Sequence, residues 1–261
     1  MNNILIVIII GFFIVSCSDD KIETKGFQVS EIIEDESGQK VVGLQIDSLK
    51  LETRPRNVLL TFNSEHRLIP IYKVNYDKKT NKPSVGTNEF HSSWVEEYEK
   101  GNNWNKNLMP GFKAVYGYNF VNVSHYNNAI KTENKLFEKP VLIKTLYYPT
   151  FSKDTLNYQL VKRNFYMVSV YDEDTNKDGF INVKDLRRFY LFDINGQNKK
   201  ILIPKEYSVM SSEYDSANDY MYVFAKKDKN QNGQIESNEP MDIFWINLKN
   251  PESNGLQYKT D

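Results

Sequence analysis

The chain has little of what most enzyme chemistry is built from. It holds one cysteine and three histidines in 261 residues. A lone cysteine, Cys17, excludes an internal disulfide, so stability must come from a packed core and from bound ions. His66, His91 and His125 lie far apart in sequence, with neither HExxH nor His-x-His spacing, and read as ordinary polar residues rather than zinc ligands. No Gly-x-Ser-x-Gly elbow, Walker A loop or GxGxxG turn is present. An excess of either charge is also missing: 33 basic against 34 acidic side chains leave a net charge of −1. Without a strong field, nucleic acid is set aside as a partner.

Long apolar runs are scarce too. Ile4 to Val15 has the length of a signal-peptide core and is too short to span a bilayer. The preceding Met1-Asn2-Asn3 lacks the usual Lys or Arg. The end of the run, Ile14-Val15-Ser16-Cys17, resembles the lipobox of bacterial lipoproteins. That resemblance implies a signal peptide over 1–16, an acylated Cys17 as lipid anchor, and a tether over 17–26. The folded part then occupies 27–261. The acidic Ser18-Asp19-Asp20-Lys21 resembles the export tags of surface lipoproteins in some Gram-negative bacteria, a plain solvated linker being the alternative. The expected location is the cell envelope, lipid-anchored at the outer membrane, periplasmic or surface-exposed.

What the chain does have is oxygen ligands at a telling spacing. Calcium loops of twelve residues draw side-chain oxygens from positions 1, 3 and 5, a backbone carbonyl from 7, a water held by 9 and a carboxylate from 12. Residues 174–185 place Asp174, Asn176, Asp178, Phe180, Asn182 and Asp185 there, with Gly179 at position 6 for the sharp turn. Residues 228–239 repeat the arrangement with Asp228, Asn230, Asn232, Gln234, Glu236 and Glu239, and with Gly233 at position 6. Ile181 and Ile235 share position 8. The flanks match at the same offset, Tyr166-Met167 falling on Tyr220-Met221. An Asp/Asn/Gly-rich turn without metal is the alternative for each loop.

The loops resemble those of the EF-hand and, with Asn at 9 and Asp at 12 in the first, the dockerin-type calcium loop. Together with the lipobox they resemble EF-hand-containing lipoproteins of the Bacteroidota, a resemblance that implies no activity. Two Ca2+ sites are expected, the second weaker because only Asp228 and Glu239 would engage the ion directly as charges. Strands rather than helices flank both loops: Tyr166 to Tyr171 runs into the first, and Met241 to Leu248 leaves the second past Pro240. The ions are therefore expected to be structural, since a sensor needs a helix pair that opens.

Elsewhere, Phe27–Ile33 and Val41–Asp47 predict a hairpin turned at Asp35–Gly38. Further strands are expected over 58–63, 69–76, 112–123, 141–148 and 189–196, with one helical turn at 184–188. Ser93, Glu96 and Gly101 frame a short helix over 94–100. Strands that begin near 72, 120, 167 and 221 suggest units of roughly fifty residues, and such periodicity predicts an all-β propeller of four or five blades. A β-sandwich or irregular β domain carrying calcium hairpins is the alternative.

One stretch is rich in rings: Trp94, Tyr98, Trp104, Phe112, Tyr116, Tyr118 and Phe120 stand among Asn and His. Aromatics filling a core are one reading. A glycan platform centred on Trp104, which four asparagines flank, is the other. Three functional classes thus remain: a calcium-stabilised lipid-anchored binding or scaffold module, a glycan-binding accessory lipoprotein, and a hydrolase with an unrecognised site.

Overall fold

The structure, a computed structural model, describes residues 26–260 apart from 36, 46–50, 78, 86–101, 105–107 and 118. Cys17, the lipobox, His91 and the expected helix over 94–100 lie outside the described residues. Among those described, every regular element is a strand, and no helix is long and apolar enough to cross a membrane.

The first strands are β1 (Phe27–Gln28), β2 (Ser30–Glu34), β3 (Lys40–Gln45), β4 (Thr53–Pro55), β5 (Leu59–Leu60), β6 (His66–Lys73), β7 (Asn75–Tyr76) and β8 (Pro83–Ser84). Next come β9 (Phe112–Tyr116), β10 (Phe120–Asn127), β11 (Thr132–Lys135), β12 (Leu142–Pro149), β13 (Thr155–Leu156) and β14 (Gln159–Leu160). The chain continues with β15 (Phe165–Tyr171), β16 (Phe180–Ile181), β17 (Arg188–Asp193) and β18 (Lys200–Ile201). It ends with β19 (Tyr207–Asp215), β20 (Tyr220–Lys227), β21 (Met241–Asn247) and β22 (Asn254–Tyr258).

Three larger antiparallel sheets carry the fold, and each runs as a meander in chain order. The first has the order β11-β10-β6-β4, with β5 also on β6; the second β18-β17-β15-β12-β9; the third β19-β20-β21-β22. Pro70 has no N–H to give a ladder, and it falls where β6 changes partner from β5, paired at Leu68, to β4, paired at Ile71.

The second sheet lies between the other two. Strand β15 is buried at every residue, so both its faces are covered. Tyr166, Val168 and Val170 pack with Leu68, Tyr72, Phe120 and Val123 of the first sheet. Phe165 and Met167, on the opposite face, pack with Val209, Met221, Val223 and Ile246 of the third. The period-two alternation of side chains along one strand thus feeds two separate cores.

Two expectations are corrected here. Strands starting near 72 and 120 were to head separate units, but Phe120 pairs directly with Tyr72, so both belong to one sheet. Four fifty-residue units therefore make three large sheets among the described residues. No helical turn forms at 184–188 either; Asp185 N–H closes a turn onto the Asn182 carbonyl and β17 starts at Arg188. The predicted N-terminal hairpin forms as β2 on β3, with Asp35 Oδ1 accepting the Ser37 and Gln39 N–H groups at its turn. Its leading residues, Phe27 and Gln28, leave for a different partner.

Candidate metal centre

Both loops join neighbouring antiparallel strands: residues 174–185 link β15 to β17, and 228–239 link β20 to β21. In the first, Asp174 at position 1 accepts the N–H groups of positions 5 and 6, Asp178 at 3.0 Å and Gly179 at 2.9 Å. Asn176 Oδ1 also accepts Asp178 N–H, and Asp178 Oδ1 accepts Phe180 N–H, each at 3.0 Å. Asp185 at position 12 closes the ring, accepting N–H groups from position 2, Thr175, and position 9, Asn182, both at 2.8 Å.

Every one of these bonds recurs in the second loop. Asp228 accepts from Asn232 at 3.2 Å and Gly233 at 2.9 Å. Asn230 accepts from Asn232, and Asn232 from Gln234, each at 3.0 Å. Glu239 accepts from Lys229 at 2.9 Å and Glu236 at 3.0 Å. Backbone conformation repeats as well: position 4 takes positive φ in both loops, 57° at Lys177 and 58° at Gln231, as does the glycine at position 6, 86° at Gly179 and 78° at Gly233. A generic surface turn needs one or two such bonds; here an entire scaffold is reproduced from residues of the same positions.

The carboxylates are partly withdrawn from water. Asp185 is 2% exposed, and burial pushes its carboxyl up to about 7; burial raises Asp174 as well. A cation is the partner that reverses such a penalty on buried negative charge. Among the described residues no three His, Cys, Asp or Glu side chains form a metal-holding group by themselves. The donor set is instead mixed, with the amides of Asn176 and Asn182 and the Phe180 carbonyl beside the acids. Hard oxygen donors of mixed charge fit Ca2+ rather than a transition metal. Asp174, Asn176, Asp178, Phe180, Asn182 and Asp185 would hold one ion, and the corresponding residues of 228–239 a second.

The loops also touch each other, which spacing alone did not foretell. Asp185 forms a β-bridge with Gln234, and Thr175 Oγ1 lies 2.5 Å from the Gly233 carbonyl oxygen. That hydroxyl accepts the Leu186 N–H at 2.8 Å, tying the contact to the start of the next strand. A Cβ on Gly233 would stand 1.8 Å from the Thr175 carbonyl oxygen, so glycine is required by the neighbouring loop as well as by its own turn.

No protein-family model matches the chain, and no curated protein matches it.

The first loop has a second neighbour. Strand β1 pairs with β16 inside the loop, Phe27 opposite Ile181 and Gln28 opposite Phe180. Val29 and Ser30 both give their N–H groups to the Gly179 carbonyl, at 2.8 and 3.2 Å. Position 8 thus serves the N-terminal strand, and Phe27 with Ile181 joins Val121, Leu142 and Tyr171 in a small third core.

Other sequence-picked residues divide cleanly. Phe112 and Phe120 are core, 2% and 0% exposed. Trp104 is half-buried, edge-on to Tyr214, in a cleft that Tyr116 also lines. Among the histidines, folding joins His66 and His125, distant in sequence, Nδ1 to Nε2 at 3.0 Å, and Asn134 extends the chain at 3.0 Å. Their third partner is an amide, so the arrangement is a buried polar relay.

Proposed function

We propose that this protein is a calcium-stabilised, lipid-anchored envelope module in which two ions clamp the chain's N-terminal strand and two of its sheets into one unit. The observation that carries this reading is the bond-for-bond identity of the two loop scaffolds, together with their mutual contact. The first loop belongs to the middle sheet and the second to the third sheet, so ions in both would brace the junction between them. Strands flank both loops and nothing resembles an opening helix pair, which supports a structural ion rather than a switch. The lipid anchor rests on the lipobox ending in Cys17. Chain-order meanders stacked face to face support a blade-like reading of the sheets, although the three large ones among the described residues fall short of four or five blades.

Thermal unfolding of the mature chain tests the proposal. Calcium should raise the melting temperature and a chelator lower it; free ion at a hundred times Kd contributes about 2.7 kcal/mol. Affinity is expected in the range of extracellular modules, roughly 10⁻⁴ to 10⁻³ M, because calcium is abundant outside cells. Asp174→Ala should remove more of the calcium-dependent shift than Asp228→Ala, since the first loop brings three carboxylates and the second directly engages two. A wild-type melt indifferent to calcium would sink the reading, and the reverse ranking of the variants would overturn the assignment of the stronger site.

A further inference from the structure

Away from the loops, a cleft of about 500 Å3 opens between the edge of the middle sheet and the third sheet. Its walls are rings: Trp104, Tyr116 from β9, Tyr147 from β12 and Tyr214 from β19, over a floor of Met109 and Met221. Its rim is polar, with the exposed Ser212, Glu213 and Ser216. The indole Nε1 of Trp104 is buried and has no hydrogen-bond partner among the described residues. A buried N–H left unpaired is costly, and among the explanations that such a group calls for is a bound partner from outside the chain.

The rings are held in place before any ligand arrives. Trp104 follows a bridge in which Asn103 and Thr155 exchange N–H···O bonds of 3.0 and 2.8 Å, and Asn102 Oδ1 accepts the Asn157 N–H at 2.7 Å. Tyr214 donates its hydroxyl to Asp219 at 3.1 Å, and Asp219 is locked by a buried two-pronged bond to Arg163 at 2.7 and 3.0 Å. Arg163 in turn donates to the Leu248 carbonyl at 2.6 Å. Trp104 and Tyr214 meet edge to face, centroids 6.2 Å apart, which leaves their faces set at 88° to one another.

We infer that this cleft is a binding site for a neutral sugar ring of an oligosaccharide. A pyranose presents flat C–H faces and a belt of hydroxyls, and the cleft offers the converse: fixed aromatic faces, one unsatisfied donor and an oxygen-rich rim. A purely apolar ligand would leave the Trp104 N–H unpaired, and an acidic one would meet Glu213 with no cation among the described lining residues to offset it. The volume falls within the range of small-ligand sites. The cleft shares no residue with either loop, so this inference stands apart from the calcium reading.

Isothermal titration of the calcium-loaded mature chain tests it, using neutral oligomers of glucose, mannose and N-acetylglucosamine, with oligogalacturonate as the acidic arm. At least one neutral oligomer should bind, Trp104→Phe should weaken it about tenfold by removing the N–H, and Trp104→Ala should weaken it further. Ser216→Ala should cost several-fold and, being at the exposed rim, leaves folding undisturbed if Trp104→Ala does not fold. All variants should keep the wild-type melting temperature and strand circular dichroism, which separates loss of the site from loss of the fold. The inference is overturned if no neutral oligomer binds at about 10 mM, if Trp104→Phe binds as tightly as wild type, or if the acidic oligomer binds best.

Discussion

Gly179 and Gly233 occupy the same loop position with the same left-handed backbone, yet they are not equally replaceable. An added Cβ at Gly179 would meet only the flexible Cδ1 end of Ile32 at 2.4 Å, whereas at Gly233 it would meet the backbone oxygen of Thr175 at 1.8 Å. Gly179→Ala should therefore cost about 1–3 kcal/mol, the strain of φ above zero. Gly233→Ala should cost more, because the two loops must also part. Denaturant unfolding of the two variants checks this; equal losses would mean that the contact between loops contributes nothing. His66 makes a different kind of prediction. Burial lowers its pKa below the ordinary 6.5, with nearby His125 acting in the same direction. In acid the unfolded chain therefore binds a proton that the folded chain resists, and stability present above pH 6.5 is lost as pH falls through that value towards the lowered folded one. His66→Gln should flatten this part of the pH–stability profile. A profile unchanged by the substitution would place the acid sensitivity elsewhere.

Strand β1 shows how a loop can govern a neighbouring element. It is two residues long, too short to persist alone, and its ladder is completed only by residues of the first loop. Directly after it, the N–H groups of Val29 and Ser30 converge on the carbonyl of Gly179, the residue whose conformation the loop dictates. Rigidifying the loop should thus protect the strand. Amide exchange at Val29 and Ser30 is expected to slow on adding calcium in the wild type and to respond little in Asp174→Ala, whereas Asp228→Ala should retain most of the effect. Uniform slowing across the chain would instead point to global stabilisation alone. The same element exposes a limit of periodicity. Phe27 to Ile33 alternates like one strand, but the chain is divided between β16 and β3 because Phe27 finds an apolar site beside Ile181, Val121 and Tyr171. By contrast β15, flanked by loop residues and rich in β-branched and aromatic side chains, was legible at its true place, since those preferences and its burial agree.

For the molecule as a whole, attachment at Cys17 would put the anchor ten residues ahead of Phe27 in β1, so the anchor and an ion in the first loop would constrain the same end of the chain. Labelled palmitate should enter the wild-type chain in its bacterial host and be lost in Cys17→Ser; incorporation that persists in the variant would remove the lipid anchor from the reading. Chain order and stacking decide the remainder. The loop scaffolds were legible because each is built from twelve contiguous residues, so the side-chain acceptors, the turn glycine and the repeated hydrogen bonds are all encoded locally. All-β character was legible for the same reason, from alternation and composition along single segments. Number and pairing of sheets were not, because Phe120 chooses Tyr72 as its partner through a core that neither strand encodes alone. The same holds for Asp185 against Gln234, His66 against His125, and Trp104 against Tyr214, each pair brought together from distant parts of the chain. Such contacts depend on which strands pair and which faces and loops meet, and no local pattern specifies either.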